Sequence, residues 1–281
     1  MVNFNGTLHN TPANLLSVQN RGYAYGDALF ETLRVVHGKV LFMEDHYFRL
    51  MSSMRILRME IPMNFTMEFI ESEILKTVEA NALMQSTARV RINVHRDADG
   101  KYGPSSNAIG YNIVSEPLDS NFYTLNKPTY TVDLFKDFYV AKGLLSTLKT
   151  NNKIINVLGS IFAKENDFDT CLLLNTDKMV IEALHGNLFL VKDRVIKTPP
   201  LSEGCLKGIM RKQIIELVEK LEGYILEEAA ISPFELQKAD EVFLTNTILG
   251  IQPITKYRKK EFTTEVSKLL LEKLNIKIRL S

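Results

Sequence analysis

Two cysteines among 281 residues are too few to staple a chain of this size. Cys171 lies in an apolar run and Cys205 precedes Leu206, with no metal-ligand spacing, so both read as buried thiols in a reducing compartment. Long apolar runs are missing as well. None approaches the roughly 20 residues that a membrane span needs, and the start MVNFNGTLHN lacks the charged and apolar blocks of a signal peptide. The expected location is the cytoplasm, with no membrane partner. An excess of either charge is absent too: the formal net charge is +1, and Lys and Arg are scattered among acidic residues, which argues against nucleic acid or anionic lipid as partner. The histidines at 9, 37, 46, 95 and 185 have no regular ligand spacing, so no metal is expected. Neither a Walker loop, nor GxGxxG after a strand, nor HExxH, nor GxSxG occurs.

What is present is a hydrophobic content of 45%, enough for a substantial core and, at this length, two domains. LRVVHGKVLFM reads as a hairpin around His37 and Gly38, followed by a helix through Arg49 and Leu57. Met67, Ile70, Ile74 and Val78 recur at helical spacing, whereas Val90, Ile92 and Val94 alternate with polar residues as in a half-buried strand. The stretch SEPLDSNFYTLNKPTY, rich in Ser, Asn and Pro, marks an interdomain connection, giving a small N-terminal α/β domain over 1–120 and a larger domain over 121–281. In the second half a helix is expected over about 154–166, then strands at CLLL and MVIEA, a hairpin around Lys192 and Asp193, a helix through Met210, Ile214, Leu217 and Leu221, the strand EVFLTN and a final helix near 264–274. Strands outnumber the helices that a simple βαβ wind requires, so the expected class is α/β with mixed sheets.

Several polar residues fall at element ends, where sites concentrate: Arg21-Gly22 before Tyr25-Gly26-Asp27, His95-Arg96, Lys149 before two asparagines, and Glu182. In order along the chain, they resemble the motifs of the class IV, or fold-type IV, pyridoxal-phosphate enzymes. NRGYAYGDALFETLRV resembles that family's opening motif, HYFRL its His-x-x-Arg-Leu, and VRINVHR its strand ending in Arg. LKTNNKIINVLGSIFAKENDFDTCLLLN resembles the lysine segment, in which an apolar strand arrives about twenty residues after the lysine; Lys149 fits that distance and Lys153 shortens it. VIEALHGNLFLVKDRVIKTPPLSEGCLKGIMRKQ and DEVFLTNTILGIQPI resemble the remaining signatures, so the likeness spans about residues 2–256.

The resemblance implies a two-domain fold like that of D-amino-acid aminotransferase, pyridoxal 5′-phosphate as cofactor, a small-molecule amino substrate and a homodimer. It further implies Lys149 as the residue that bonds the cofactor aldehyde and then acts as base, and Glu182 as partner of the pyridine nitrogen. Arg49, Thr247, Asn246 and the backbone of Ile209 and Met210 are implied around the phosphate. Arg96 is implied for a substrate carboxylate, although HRDADGKYG lacks the common Arg-Gly continuation, and Tyr25 and Phe30 for the pocket lining. Lys101 and His185 receive no role, although His185 stands where relatives carry small residues. FETLR, KTNN with Asn152, GIMR with Met210 and LTNT with Asn246 resemble aminodeoxychorismate lyases more than branched-chain transaminases, which carry Phe-Glu-Gly where Thr32 stands and a tyrosine where Ile154 stands. The expected reaction is the formation of 4-aminobenzoate and pyruvate, in folate synthesis, with Thr32 beside the leaving group. A branched-chain or D-amino-acid transaminase is the alternative, and a non-catalytic binding protein of the same fold the remote one.

Overall fold

The computed structural model describes residues 1–11, 14–125 and 128–280. Of the connection noted above, Asn126 and Lys127 therefore lie outside the described residues. The chain forms two compact units: Met1–Asn121 together with Lys149–Asn152, and Phe122–Leu148 together with the chain from Lys153 onward. A single cut near residue 120 does not express the return of Lys149–Asn152 to the first unit.

The first unit contains the strands β1 (Val2–Phe4), β2 (Thr7–His9), β3 (Ala28–Val36), β4 (Lys39–Val40), β5 (Thr87–Arg96) and β6 (Ile109–Leu118), and the helices α1 (Arg21–Ala24), α2 (Met43–Ile56) and α3 (Met67–Ala80). Its sheet runs β2-β1-β6-β5-β3-β4, antiparallel throughout. The β3–β4 hairpin turns at His37 and Gly38, both at positive φ (47° and 73°), which matches the twist of the flanking strands. Alternation along β5 buries Ala88, Val90, Ile92 and Val94 on the face that Leu29, Leu33 and Val35 share across the register, and α2 and α3 pack over β3 and β5. Thr66 caps α3, its hydroxyl accepting from Phe69 N–H at 3.2 Å.

The second unit contains β7 (Thr131–Val140), α4 (Ile154–Glu165), β8 (Thr170–Asn175), β9 (Val180–Ala183), β10 (Gly186–Lys192), β11 (Val195–Thr198), α5 (Ile209–Val218), β12 (Ile225–Glu228), α6 (Pro233–Lys238), β13 (Glu241–Asn246), β14 (Gly250–Ile254), β15 (Lys256–Tyr257), β16 (Lys260–Glu261) and α7 (Glu265–Leu280). Its strands join in one mixed sheet, with β7 parallel to β8 and to β15, β11 parallel to β12, and β10 antiparallel to β9, β11 and β13. Leu172, Leu174, Val180, Leu188, Val242, Leu244 and Ile254 form one core, while Phe135, Cys171 and Leu173 lie under α4. The last helix begins where the periodicity predicts and runs on to Leu280. Among the described residues no helix is long and apolar enough to cross a membrane.

Phe189 and Phe243 face each other in register on β10 and β13, fully buried, with ring centroids 5.1 Å apart. Phe243→Ala is expected to cost about 3–5 kcal/mol of stability, measured as a fall in the urea midpoint with an unchanged slope.

Candidate active site

Lys149 owes its place to its backbone. Phe30 N–H donates to the Lys149 carbonyl at 2.9 Å, Thr150 bridges Leu29, and Asn151 N–H donates to the Ala28 carbonyl at 3.0 Å. Residues 149–151 thus lie along the free edge of β3. Asn152 adds a side-chain bond, its Nδ2 donating to the Gly26 carbonyl at 3.1 Å. A Cβ on Gly26, whose φ is +65°, would fall 2.5 Å from Asn152 Oδ1, so the Tyr-Gly-Asp motif needs its glycine for this close approach. The half-buried Lys149 places Nζ 4.4 Å from the centroid of the Phe30 ring.

Phe30 and Thr32 share a face of β3, two residues apart. Across the register Arg91 stands opposite Thr32, and its guanidinium lies 4.1 Å from the Phe30 ring centroid. Burial, and then the neighbouring Arg89, push the Arg91 pKa down. A partly desolvated guanidinium so placed favours an anion. Sequence reasoning did not single out Arg91; the signal was its polar position in the alternation of ARVRINV.

Glu31 points to the opposite face, toward α2, where His46 and Arg49 lie one turn apart. Both carboxylate oxygens engage Arg49, Oε1 accepting from Nε at 2.7 Å and Oε2 from Nη2, and Oε2 also lies 2.7 Å from His46 Nδ1. Burial works to raise the Glu31 pKa, but Arg49 and His46 outweigh it and hold the carboxyl at about 2. Burial pushes His46 down, with Glu31 opposing and the charges of Arg49 and Lys149 assisting. His46 Nε2 is buried without a partner among the described residues. Glu31 and His46, both inside the motifs quoted above, are the other site candidates that the sequence did not single out by role.

Arg96, expected at a substrate carboxylate, is held by protein acceptors. Its Nε donates to Asp27 Oδ2 at 2.9 Å, Nη1 to Asn107 Oδ1 at 2.6 Å and to the Arg58 carbonyl, and Nη2 to the Leu57 carbonyl at 2.6 Å. All three nitrogens are engaged and 7% of the residue is exposed, so Arg96 ties Asn107 of the loop 97–108 to Asp27 and to the end of α2. Arg21 does the same from the other side of Asp27, donating to Asp27 Oδ2 at 2.9 Å and to the carbonyls of Gly100 and Lys101. Lys101 thereby contributes its backbone to this clamp. Tyr25 is exposed, with its ring 5.7 Å from that of Tyr102 and the Arg21 guanidinium 5.0 Å from its centroid.

In the second unit, Glu182 Oε2 accepts from Leu206 N–H at 2.9 Å, and Asn187 Nδ2 lies 3.5 Å from it. Asn187 also donates to the Leu206 carbonyl at 2.8 Å, and a Cβ on Gly208 would meet Asn187 Oδ1 at 1.9 Å. Gly208 therefore allows the strand and the N-terminus of α5 to meet, and leaves the first turn, with Ile209 and Met210, without a side-chain cap. Asn246 organises the turn after β13: its Oδ1 accepts from Ile248 N–H at 2.9 Å and Leu249 N–H at 2.8 Å, while the Thr247 carbonyl accepts from the Tyr123 hydroxyl at 2.7 Å. The uncapped N-terminus of the ten-residue helix α5 presents backbone donors of the type that a phosphate dianion needs, so this part of the second unit fits a phosphorylated cofactor.

A family model described as amino-transferase class IV matches residues 28–257. A protein of Methanocaldococcus jannaschii assigned as a branched-chain-amino-acid aminotransferase is 30% identical, covering 92% of this chain and 89% of its own length. The D-alanine aminotransferase of Bacillus licheniformis is 27% identical over 90% of this chain and 86% of its own. The crystal structure of 4-amino-4-deoxychorismate lyase from Pseudomonas aeruginosa superposes with a TM-score of 0.81 at 28% identity, over 98% of each chain.

The Glu31 carboxyl sets a pH dependence. Its folded pKa, about 2, lies below the 4.5 of the free side chain, so its stabilisation is present above pH 4.5 and is lost as pH falls toward 2. About 3 kcal/mol of acid-sensitive stability is expected from it. Comparing unfolding of the wild type and Glu31→Gln between pH 6 and pH 2 should show the variant less stable at pH 6 and flatter across the range.

Proposed function

Given that the chain belongs to the class IV amino-transferase family, we propose that it is a pyridoxal-phosphate-dependent 4-amino-4-deoxychorismate lyase, forming 4-aminobenzoate and pyruvate. When bound, the cofactor supplies an aldehyde that takes up an amine and a pyridinium ring that draws electrons from the substrate. Lys149 would hold the cofactor through that aldehyde and would take up the proton removed from ring C4. Glu182, oriented by Leu206 N–H, keeps the cofactor's ring nitrogen protonated. Thr247 and the N–H groups of Ile209 and Met210 would hold the phosphate, and Arg49 is the arginine that the motif resemblance assigns to it. Glu31 keeps the Arg49 fork in one orientation.

One observation carries the choice of lyase. An aromatic ring, a hydroxyl and a half-buried guanidinium, from Phe30, Thr32 and Arg91, stand in one patch of sheet beside Lys149. That set suits a planar, carboxylated ring better than a branched aliphatic side chain. Arg91 takes a carboxylate, Phe30 lies against the ring, and Thr32 holds a proton or water beside the departing enolpyruvyl group. The proton taken from C4 and the enolpyruvyl group lost from the ring leave an aromatic product; the enolpyruvate gains a proton and becomes pyruvate. The commitment of Arg96 to the loop clamp weighs against a D-amino-acid transaminase that binds its substrate carboxylate there. We further infer that the enzyme acts as a homodimer.

The test supplies enzymatically generated 4-amino-4-deoxychorismate to cofactor-loaded protein and follows 4-aminobenzoate fluorescence. Rapid product, abolished by Lys149→Ala, is expected. Arg91→Met should raise KM about tenfold or more with a smaller effect on kcat, and Thr32→Ala should lower kcat by about 10²-fold. No aromatic product, with the cofactor converted to its amine form by an L- or D-amino acid, would make the protein a transaminase instead.

A further inference from the structure

The turn between β9 and β10 carries a histidine that the proposed chemistry does not use. His185 has part of its surface open to solvent, yet both ring nitrogens are taken: the Tyr130 hydroxyl lies 3.1 Å from Nε2 and the Thr170 hydroxyl 3.4 Å from Nδ1. Tyr130 immediately precedes β7 and Thr170 opens the adjacent parallel strand β8, and they are 6% and 1% exposed, so they form a fixed base. Burial lowers the His185 pKa, and burial with Asp169 pushes the Tyr130 hydroxyl up to about 12. The ring is therefore neutral beside a protonated phenol. One ring nitrogen donates and the other accepts, and the two hydroxyls can serve either tautomer.

The backbone of the same residue faces the Thr247 turn. Asn246 Nδ2 donates to the His185 carbonyl at 3.1 Å, while Asn246 Oδ1 accepts from Ile248 and Leu249. An amide held at its nitrogen end cannot rotate without losing the bonds at its oxygen end. The direction of the His185 carbonyl thus fixes the plane of the Asn246 amide, and that plane fixes the turn. A glycine or serine at 185 would close the β9–β10 turn as well but would remove the imidazole that ties this turn to Tyr130 and Thr170.

We propose that His185 is a positioning residue for the cofactor phosphate: Tyr130 and Thr170 lock its imidazole, its carbonyl locks the Asn246 amide, and Asn246 presents the Thr247 turn to the phosphate. This rests on the assignment of Thr247 to the phosphate made above. It adds the β9–β10 turn to the parts that determine cofactor affinity.

Affinity for pyridoxal 5′-phosphate tests it directly. Full-length apoprotein is titrated with the cofactor, and separately with inorganic phosphate as competitor, for the wild type, His185→Ala, His185→Gln and Thr247→Val. Affinity is read from the visible absorbance and circular dichroism of the bound cofactor, and unfolding temperatures are recorded alongside. Thr247→Val is expected to weaken cofactor binding about tenfold, roughly the worth of one hydrogen bond to a charged group. His185→Ala should weaken both cofactor and phosphate by a comparable factor and alter the circular dichroism band. His185→Gln, which keeps one donor and one acceptor, should retain most of the affinity. Weak binding in Thr247→Val with wild-type affinity and band shape in a folded His185→Ala overturns the proposal and leaves the phosphate assignment standing. Wild-type affinity in Thr247→Val overturns that assignment, and the proposal with it.

Discussion

Three backbone contacts along one strand edge govern the first unit: Phe30 to Lys149, Leu29 with Thr150, and Asn151 to Ala28. A lysine on a surface loop has rotamer freedom and a solvated ammonium. Laid against β3, the segment gives Lys149 a fixed Cα and a ring, that of Phe30, against which Nζ rests. The Asn152 bond to Gly26 closes the segment's far end and ties it to the Tyr-Gly-Asp turn. Alternation along β3 then decides what else reaches the lysine, with Phe30 and Thr32 on one face and Glu31 on the other.

Charge in this unit is sorted by burial. Glu31 is sealed between Arg49 and His46, and its depressed pKa shows that it remains a carboxylate there. An arginine held by two oxygens of a buried carboxylate is pre-aimed, so less rotamer entropy is lost when an anion arrives. Asp27 plays the corresponding part in the loop clamp, accepting from Arg21 and Arg96 through a single oxygen. The same residue type thus stands in two settings within one sheet: Arg96 is enclosed by protein acceptors, while Arg91 is half-buried and stacked on Phe30.

Much of this was legible in the sequence. The His37-Gly38 hairpin, the periodic helices α2, α3 and α5, and the alternating strand β5 follow from local pattern, and the ordered motifs carried the family and its fold. The return of Lys149–Asn152 to the first sheet was not legible, because an edge pairing over three residues leaves no periodic trace. Arg96 shows a second limit. Its motif position does not reveal its acceptors, which are two side chains and two main-chain carbonyls far from it in sequence, at Asp27, Asn107, Leu57 and Arg58. Glu31 and His46 show a third: each sat inside a quoted motif, yet only the packing of α2 on β3 reveals that they form one cluster with Arg49.

The central claim is that Lys149, and no other lysine of the chain, is the cofactor-bonding residue. Borohydride reduction of the cofactor-loaded protein, followed by proteolysis and mass spectrometry, fixes the attachment point covalently. A phosphopyridoxyl group on the peptide carrying Lys149, with fragment ions excluding Lys153, is the predicted result. A stoichiometric adduct on Lys153 or on any other lysine would contradict the account.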